Sequence, residues 1–291
     1  MRNCSLIFIY IITLIISFSL SPVNSYAFEV RISSSTIRPG DTVCIILQET
    51  KKRGAYLVWF NGREYPLYKI GKRSLRALIG ISCDFIPGDY SILIVGTEKK
   101  GELSNQSIEL IVKEKKYPSR TITFVPEKES IISSPESRVE REIVRDTLSI
   151  ESEEQYWQGP FIMPVNSVIV SEYGVRRMMH NKFLWSHKGI DLRGDIGTFI
   201  VAPNRGSVRL VRDKFRMYGG TIIIDHGQGI STVYFHLNKI YVKEGDLVEK
   251  ESLIGEIGDT GLTTGPHLHW GLFVHDIPVH PLQWLEEWIP E

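Results

Sequence analysis

All eight histidines of the chain fall in its second half, at positions 180, 187, 226, 236, 267, 269, 275 and 280. Imidazoles gathered in this way can bind a metal or move protons, but a domain can also simply use histidine in its loops, so spacing has to decide. His187-Lys-Gly-Ile-Asp191 sets an imidazole and a carboxylate four residues apart. Gly189 and Gly194 disfavour a helix here, and a straight strand would hold the two about 13 Å apart, too far to share one ion. Gly189 permits a bend or bulge and leaves the intervening position without a side chain. Alone, the unit reads equally well as a turn with a surface His and a capping Asp. His267-Leu-His269 is the second unit. On a strand its imidazoles share one face about 7 Å apart, with Leu268 turned toward a core. Two histidines on a solvated sheet face are the plain alternative. His236, in Val233-Tyr-Phe-His-Leu237, gains weight only beside the other two units.

Taken together, His187, Asp191 and His269 make a three-ligand catalytic zinc site with a fourth position left for water. Nitrogen and carboxylate ligands without sulfur favour Zn2+. Water at such a site is acidic enough to supply hydroxide near neutral pH, and the ion polarises a scissile carbonyl. His236 and His267 are then the catalytic residues that handle protons and steady the oxyanion. No His-Glu-x-x-His helix is present, which excludes the helical zinc-protease design.

Elements must position these side chains. From about Gln158 the sequence reads as short strands cut by glycines: Ser167 to Val170, Ser207 to Val211, Thr221 to Asp225, Ser231 to His236, Ile254 to Ile257 and Leu268 to Val274. Trp284 to Ile289 reads as a short terminal helix. Before this domain, 113–157 is charged and interrupted by Pro118, Pro126 and Pro135. Ser134 to Glu154 reads as one helix, with Ser134 as N-cap and Pro135 at its first position. Val139, Ile143, Val144 and Leu148 form its apolar stripe. A partly disordered tether is the other reading of this linker.

Residues 28–112 read as a small Ig-like β-sandwich. Pro39-Gly40-Asp41, Asn61-Gly62 and Pro87-Gly88-Asp89 mark turns, and Asn61-Gly62 suits a two-residue hairpin. Strands include Tyr56 to Phe60 and Tyr90 to Val95. Cys44 and Cys83 fall in the strand-like runs Thr42 to Leu47 and Leu78 to Phe85, and they form either one disulfide or two buried thiols. Residues 1–27 read as an export signal: Arg2, the apolar run Leu6 to Leu20, and Ser25-Tyr26-Ala27 as a cleavage site. Cleavage leaves no stable membrane span, and a retained anchor is the alternative. The mature chain is thus expected in the periplasm or outside the cell. Lys+Arg and Asp+Glu both number 34, a balance that argues against a nucleic-acid partner.

At these residues the chain resembles the lysostaphin-type, or M23, metallopeptidases. The likeness runs from about Phe161 to Pro281. It is carried by Ser171-Glu-Tyr-Gly-Val-Arg-Arg177, His187-Lys-Gly-Ile-Asp191, Gly197-Thr-Phe-Ile-Val-Ala-Pro203 and Gly206-Ser-Val208, then by Tyr234-Phe-His-Leu237, Gly245-Asp-Leu-Val248, Gly258-Asp-Thr-Gly261 and Gly265-Pro-His-Leu-His269. The resemblance implies an all-β chain whose domain at 158–291 folds around a zinc-containing groove in the duplicated-hybrid-motif manner. It carries metal binding to His187, Asp191 and His269, and proton handling to His236 and His267. It also implies hydrolysis of peptide cross-links in peptidoglycan, and Asn181 is a candidate for the side chain that faces the metal across the groove. The alternative function is a non-catalytic relative that activates another wall hydrolase; such relatives typically lack ligands that are intact here. A lipoyl-carrier-like module, suggested by the glycine rhythm of Val242 to Gly261, leaves the histidines unexplained. The β-sandwich and linker carry no chemistry of their own, and they are expected to restrain access to the groove.

Overall fold

The computed structural model describes residues 28–49, 55–97 and 103–286. The export segment read at 1–27 lies outside the described residues. Among those described, no helix is long and apolar enough to cross a membrane.

The N-terminal part is two β-sheets face to face. One sheet runs Phe28–Ile32, Thr42–Glu49, Ser74–Gly80, Tyr68–Lys69. The other runs Thr36–Ile37, Leu103–Val112, Gly88–Thr97, Ala55–Phe60, Arg63–Tyr65. Alternating side chains from both sheets, among them Ile45, Leu47, Ile79, Ile92, Ile94 and Leu110, interdigitate in one dry core. Asn61 and Gly62 both take positive φ, 45° and 81°, and Phe60 pairs with Arg63 across them. That is the two-residue hairpin which Asn-Gly favours, because its backbone twist matches that of the strands.

Cys44 and Cys83 are both buried and unbridged. Cys44 faces the second domain, and burial pushes its thiol up to about 12. Cys83 is not on a strand: the run expected from Leu78 to Phe85 stops at Gly80, and Cys83 lies in the loop that follows.

The C-terminal part is built on a ten-stranded sheet. Its main path is Ile169–Ser171, Ile190–Arg193, His267–Val274, Ile230–Ile240, Gly219–Gly227, Gly206–Phe215, Leu247–Val248. Side strands Phe199–Val201, Leu253–Ile257 and Ile277–Val279 complete it. The last described element is a 3-10 turn, Pro281–Leu285, and Glu286 is already extended, so the helix expected to run on from Trp284 is not continued at Glu286; 287–291 lie outside the described residues.

The two β domains share a core. Cys44 and Leu78 of the first meet Trp157, Phe161, Leu272, Val274, Val279 and Trp284 of the second. Fully burying a side chain of this size contributes about 1.5–3 kcal/mol, so this face holds the domains firmly together. Arg76, fully buried, stacks over Trp157 at 4.6 Å and donates to Gln155 and Gln228.

The linker is ordered and lies on the second domain. Ser119–Thr121 adds a parallel strand to Arg176–Met179. The helix spans Pro135–Leu148, with Ser137 N–H donating to the Ser134 hydroxyl at its N-cap. It stops before Glu154 because the next residues are drawn into the domain interface: Tyr68 donates to Glu151, and Ser152 donates to Asp225. Val144 and Leu148 bury against Leu210, Ile223, Val233 and Phe235.

Candidate metal centre

His187 follows the strand Lys182–Ser186, the chain bends at Gly189, and Asp191 sits on the next strand, Ile190–Arg193. The bend folds the His-x-Gly-x-Asp unit back on itself, so His187 Nε2 lies 2.9 Å from Asp191 Oδ1. A side chain at 189 has no room. A Cβ there would stand 2.4 Å from the Trp270 carbonyl oxygen and 2.9 Å from the His269 ring. Asp191 pairs directly with His269 across two antiparallel strands, which puts both on one face. His269 Nδ1 lies 3.1 Å from Asp191 Oδ1 and 2.9 Å from His187 Nε2. These three residues form a group whose ligand atoms all lie within 4.8 Å of one another.

The protonation pattern around this point suits a cation. His187 Nδ1–H donates to the Glu172 carbonyl at 2.8 Å, which leaves Nε2 as a bare lone pair aimed at the Asp191 carboxylate. Such a convergence of acceptors is repulsive without a positive charge between them. Asp191 Oδ1 is the oxygen that faces both imidazoles. The other carboxylate oxygen, Oδ2, accepts from Arg177 at 3.1 Å, and Arg177 also donates to Ser171. Arg177 is a site residue that sequence reasoning missed as such, although it ends the quoted Ser171–Arg177 stretch.

His267 and His236 stand beside the trio. His267 Nε2 is 3.7 Å from Asp191 Oδ1, and the rings of His236 and His267 are 4.9 Å apart. Each Nδ1–H has a backbone acceptor, Gly265 O for His267 and Thr260 O for His236, both at 2.8 Å. Each Nε2 is therefore free to take a proton. Burial, with His267 and His269 alongside, brings His236 down to about 3, so it stands neutral at ordinary pH.

Asn181 is elsewhere. It is the exposed tip of the hairpin joining Arg176–Met179 to Lys182–Ser186, with φ 62°, and it does not line the groove. The aromatic residues that do include Tyr218 and Phe235, whose rings are tilted by 32° with centroids 4.4 Å apart, alongside Phe124, Trp185 and Phe273. Nothing in the sequence around Tyr218 marks it for that place.

The groove is a cleft of about 680 Å³. Its floor holds the three ligands and two histidines, and its far wall is the linker: Ile122, Phe124, Ile132, Arg141, Val144 and Leu148. The strap is tied down on both rims. On one, Ile122 N–H donates to Met178 O and Arg120 donates to Val170 O. On the other, Lys128 donates to Thr263 O, and Glu140 accepts from the backbone N–H groups of Arg216 and Met217 at 2.5 and 2.8 Å.

A twisted antiparallel sheet that carries a His/Asp/His centre on its groove face is the architecture of a β-type metallopeptidase. Residues 185–281 match the model of peptidase family M23, and the chain carries a domain of that family. Over 96 residues it is 40% identical to an uncharacterized metalloprotease of Haemophilus influenzae, a match covering 33% of this chain and 20% of that one. Over 123 residues it is 38% identical to the peptidoglycan DD-endopeptidase ShyA of Vibrio cholerae, covering 41% of this chain and 28% of that one. The matched region thus spans less than a third of each of these relatives. A solved structure described as a peptidase M23 of Pseudomonas aeruginosa superposes with a TM-score of 0.61 at 25% identity, covering 86% of this chain and 95% of that one. The mostly-β architecture is therefore shared over both domains.

Proposed function

We propose that this chain is a zinc-dependent endopeptidase that hydrolyses peptide cross-links of bacterial peptidoglycan and works in the cell envelope or outside it. The observation that carries this reading is the meeting of His187 Nε2, Asp191 Oδ1 and His269 Nδ1, with two further imidazoles beside them. These three atoms would hold the Zn2+, matching its preference for nitrogen and carboxylate oxygen. When bound, the ion polarises the scissile carbonyl and acidifies water at the open position. Arg177 neutralises the outer oxygen of Asp191 and keeps the carboxylate aligned. His236 and His267 present Nε2 atoms to the groove; one can accept the proton of the attacking water, and the pair can return a proton to the leaving amine nitrogen. Peptidoglycan as substrate is supported by the relatives named as peptidoglycan endopeptidases.

The test is digestion of purified peptidoglycans of several cross-link types by metal-stripped and zinc-reloaded protein, with products identified by mass. Cross-linked fragments should be cleaved only by the reloaded protein. Zinc-loaded protein that cuts none of them, yet raises the activity of a second wall hydrolase, would favour the activator reading.

A further inference from the structure

We infer that Asp84, in the first β domain, is a positioning residue for the metal centre: it clamps the two neighbours of His187. The inference rests on the zinc reading proposed above. Asp84 lies in the loop after the strand Ser74–Gly80. Its carboxylate accepts from the Ser186 hydroxyl at 2.5 Å through Oδ1 and from the Lys188 ammonium through Oδ2. Ser186 and Lys188 flank His187 on either side, so one carboxylate from another domain holds the side chains on both sides of a ligand.

The loop that presents Asp84 is itself held. Cys83 N–H donates to the Tyr173 hydroxyl at 3.0 Å, and that hydroxyl donates to Pro278 O at 2.7 Å. Tyr173 lies between Glu172, whose carbonyl orients the His187 ring, and Gly174, whose N–H donates to His187 O at 2.8 Å. His187 is thus gripped by the segment 172–175 from one side and by Asp84 through its neighbours from the other. A bent segment with a glycine at 189 has few bonds of its own, so its ligand needs outside support to keep a metal-ready geometry. Burial alone would raise the Asp84 carboxyl, and the bonds from Lys188 and Ser186 outweigh it, keeping the group ionised. The N-terminal domain on this view is part of the peptidase centre and more than a cover.

The experiment uses the full chain and measures zinc affinity by competition with a chromophoric chelator, together with the thermal unfolding midpoint in the metal-free state. Asp84→Ala should weaken zinc binding by about tenfold, the usual effect of losing a group that orients a ligand. Asp84→Asn, which still accepts from Ser186, should lose less. The comparison is Arg63→Ala, which breaks a different cation–carboxylate link between the domains, Arg63 to Asp276 at 2.5 Å. It should lower the metal-free midpoint by at least as much as Asp84→Ala and leave zinc affinity unchanged. Wild-type affinity in Asp84→Ala, or an equal loss in Arg63→Ala, would overturn the inference. So would metal-free Asp84→Ala and Asp84→Asn that both fail to fold, since Asp84 would then serve folding and not the metal. Absence of zinc binding by the wild-type chain would instead count against the zinc reading itself.

Discussion

Phe235 and His236 are consecutive, yet both side chains reach the same groove. Phe235 stacks on His269 with ring centroids 5.2 Å apart and planes 7° from parallel, while the His236 ring lies 4.9 Å from that of His267. Along a regular strand neighbours point to opposite faces. The alternation fails here because His236 takes φ 68°, a left-handed conformation that ordinary residues avoid, and the ladder slips between Leu237 and Lys239. Non-glycine residues in that region cost free energy and persist where the surroundings over-determine them. Here Tyr218 O accepts from His236 N–H, and Thr260 O accepts from the ring.

Metal binding and proton transfer should therefore separate by mutation. His187→Ala and His269→Ala each remove a ligand atom, so bound zinc and turnover of a cross-linked peptide should fall together. His236→Ala should keep its zinc while turnover drops by about 10²–10⁴-fold. His267→Ala should resemble it, with a small disturbance of the metal through the shared strand. Full zinc loss in His236→Ala, or full activity in His187→Ala at limiting zinc, would reverse the assignment.

Gly189 has no substitute. In Gly189→Ala the new methyl meets a backbone carbonyl oxygen and a ligand ring, at 2.4 and 2.9 Å. One of the strands Ile190–Arg193 and His267–Val274 must give way. Overpacking of this kind costs about 1–3 kcal/mol. The larger effect should be on the metal, since the clash falls between His187 and His269. Isothermal titration should show weakened zinc binding, and a variant with unaltered affinity would mean that the bend tolerates a side chain.

Acid should loosen the contact between the domains. Burial alone would raise the Glu151 carboxyl, but hydrogen bonds from His275 and Tyr68, with Arg63 nearby, hold it below its ordinary value. A carboxyl depressed on folding contributes stability that is fully present above its unfolded pKa, about 4.3, and is lost as pH falls through the folded pKa below that. Thermal unfolding of the wild type and of Glu151→Gln should hence differ most above about pH 5. The difference should shrink steadily below about pH 4. A difference independent of pH from 3 to 7 would show that Glu151 is not the group that titrates.

The site was more legible than its surroundings. His187, Asp191, His236, His267 and His269 stood out because metal chemistry restricts residue type and spacing together, and the structure brings all five to one place. Strand periodicity and glycine punctuation located the sheets, and Ser134-Pro135 marked the helix start. Other features depend on partners far away in sequence. The helix ends at Leu148 because residues 151 and 152 are engaged by Tyr68 and Asp225. The strand before Cys83 ends at Gly80 where its partner turns away at Pro39-Gly40, Gly40 taking φ 104°, and only Ile81 still bonds to Gly40 and Asp41. Tyr218 enters the groove by the register of the hairpin it terminates, which no local pattern encodes.

The linker should govern how freely substrate enters. Removing everything before Gln158 is a poor test, because it also strips the cover from Phe161, Leu272, Val274 and Trp284 and removes the Asp84 contact with the metal-binding bend. Loosening the strap within the full chain avoids both problems. Glu140 is buried and caps two backbone N–H groups on the hairpin at Arg216 and Met217, and Lys128 anchors the preceding turn to Thr263 O. Leaving buried donors without their acceptor costs about 1–3 kcal/mol, and every 1.4 kcal/mol taken from the closed state multiplies the open fraction about tenfold. The double variant Lys128→Ala, Glu140→Ala should thus cleave soluble cross-linked fragments about tenfold faster than the wild type, at equal zinc content. The gain should vanish when a disulfide ties the helix back to the hairpin. An unchanged or lower rate at full zinc occupancy would mean that the strap forms a wall of the substrate site and does not close it.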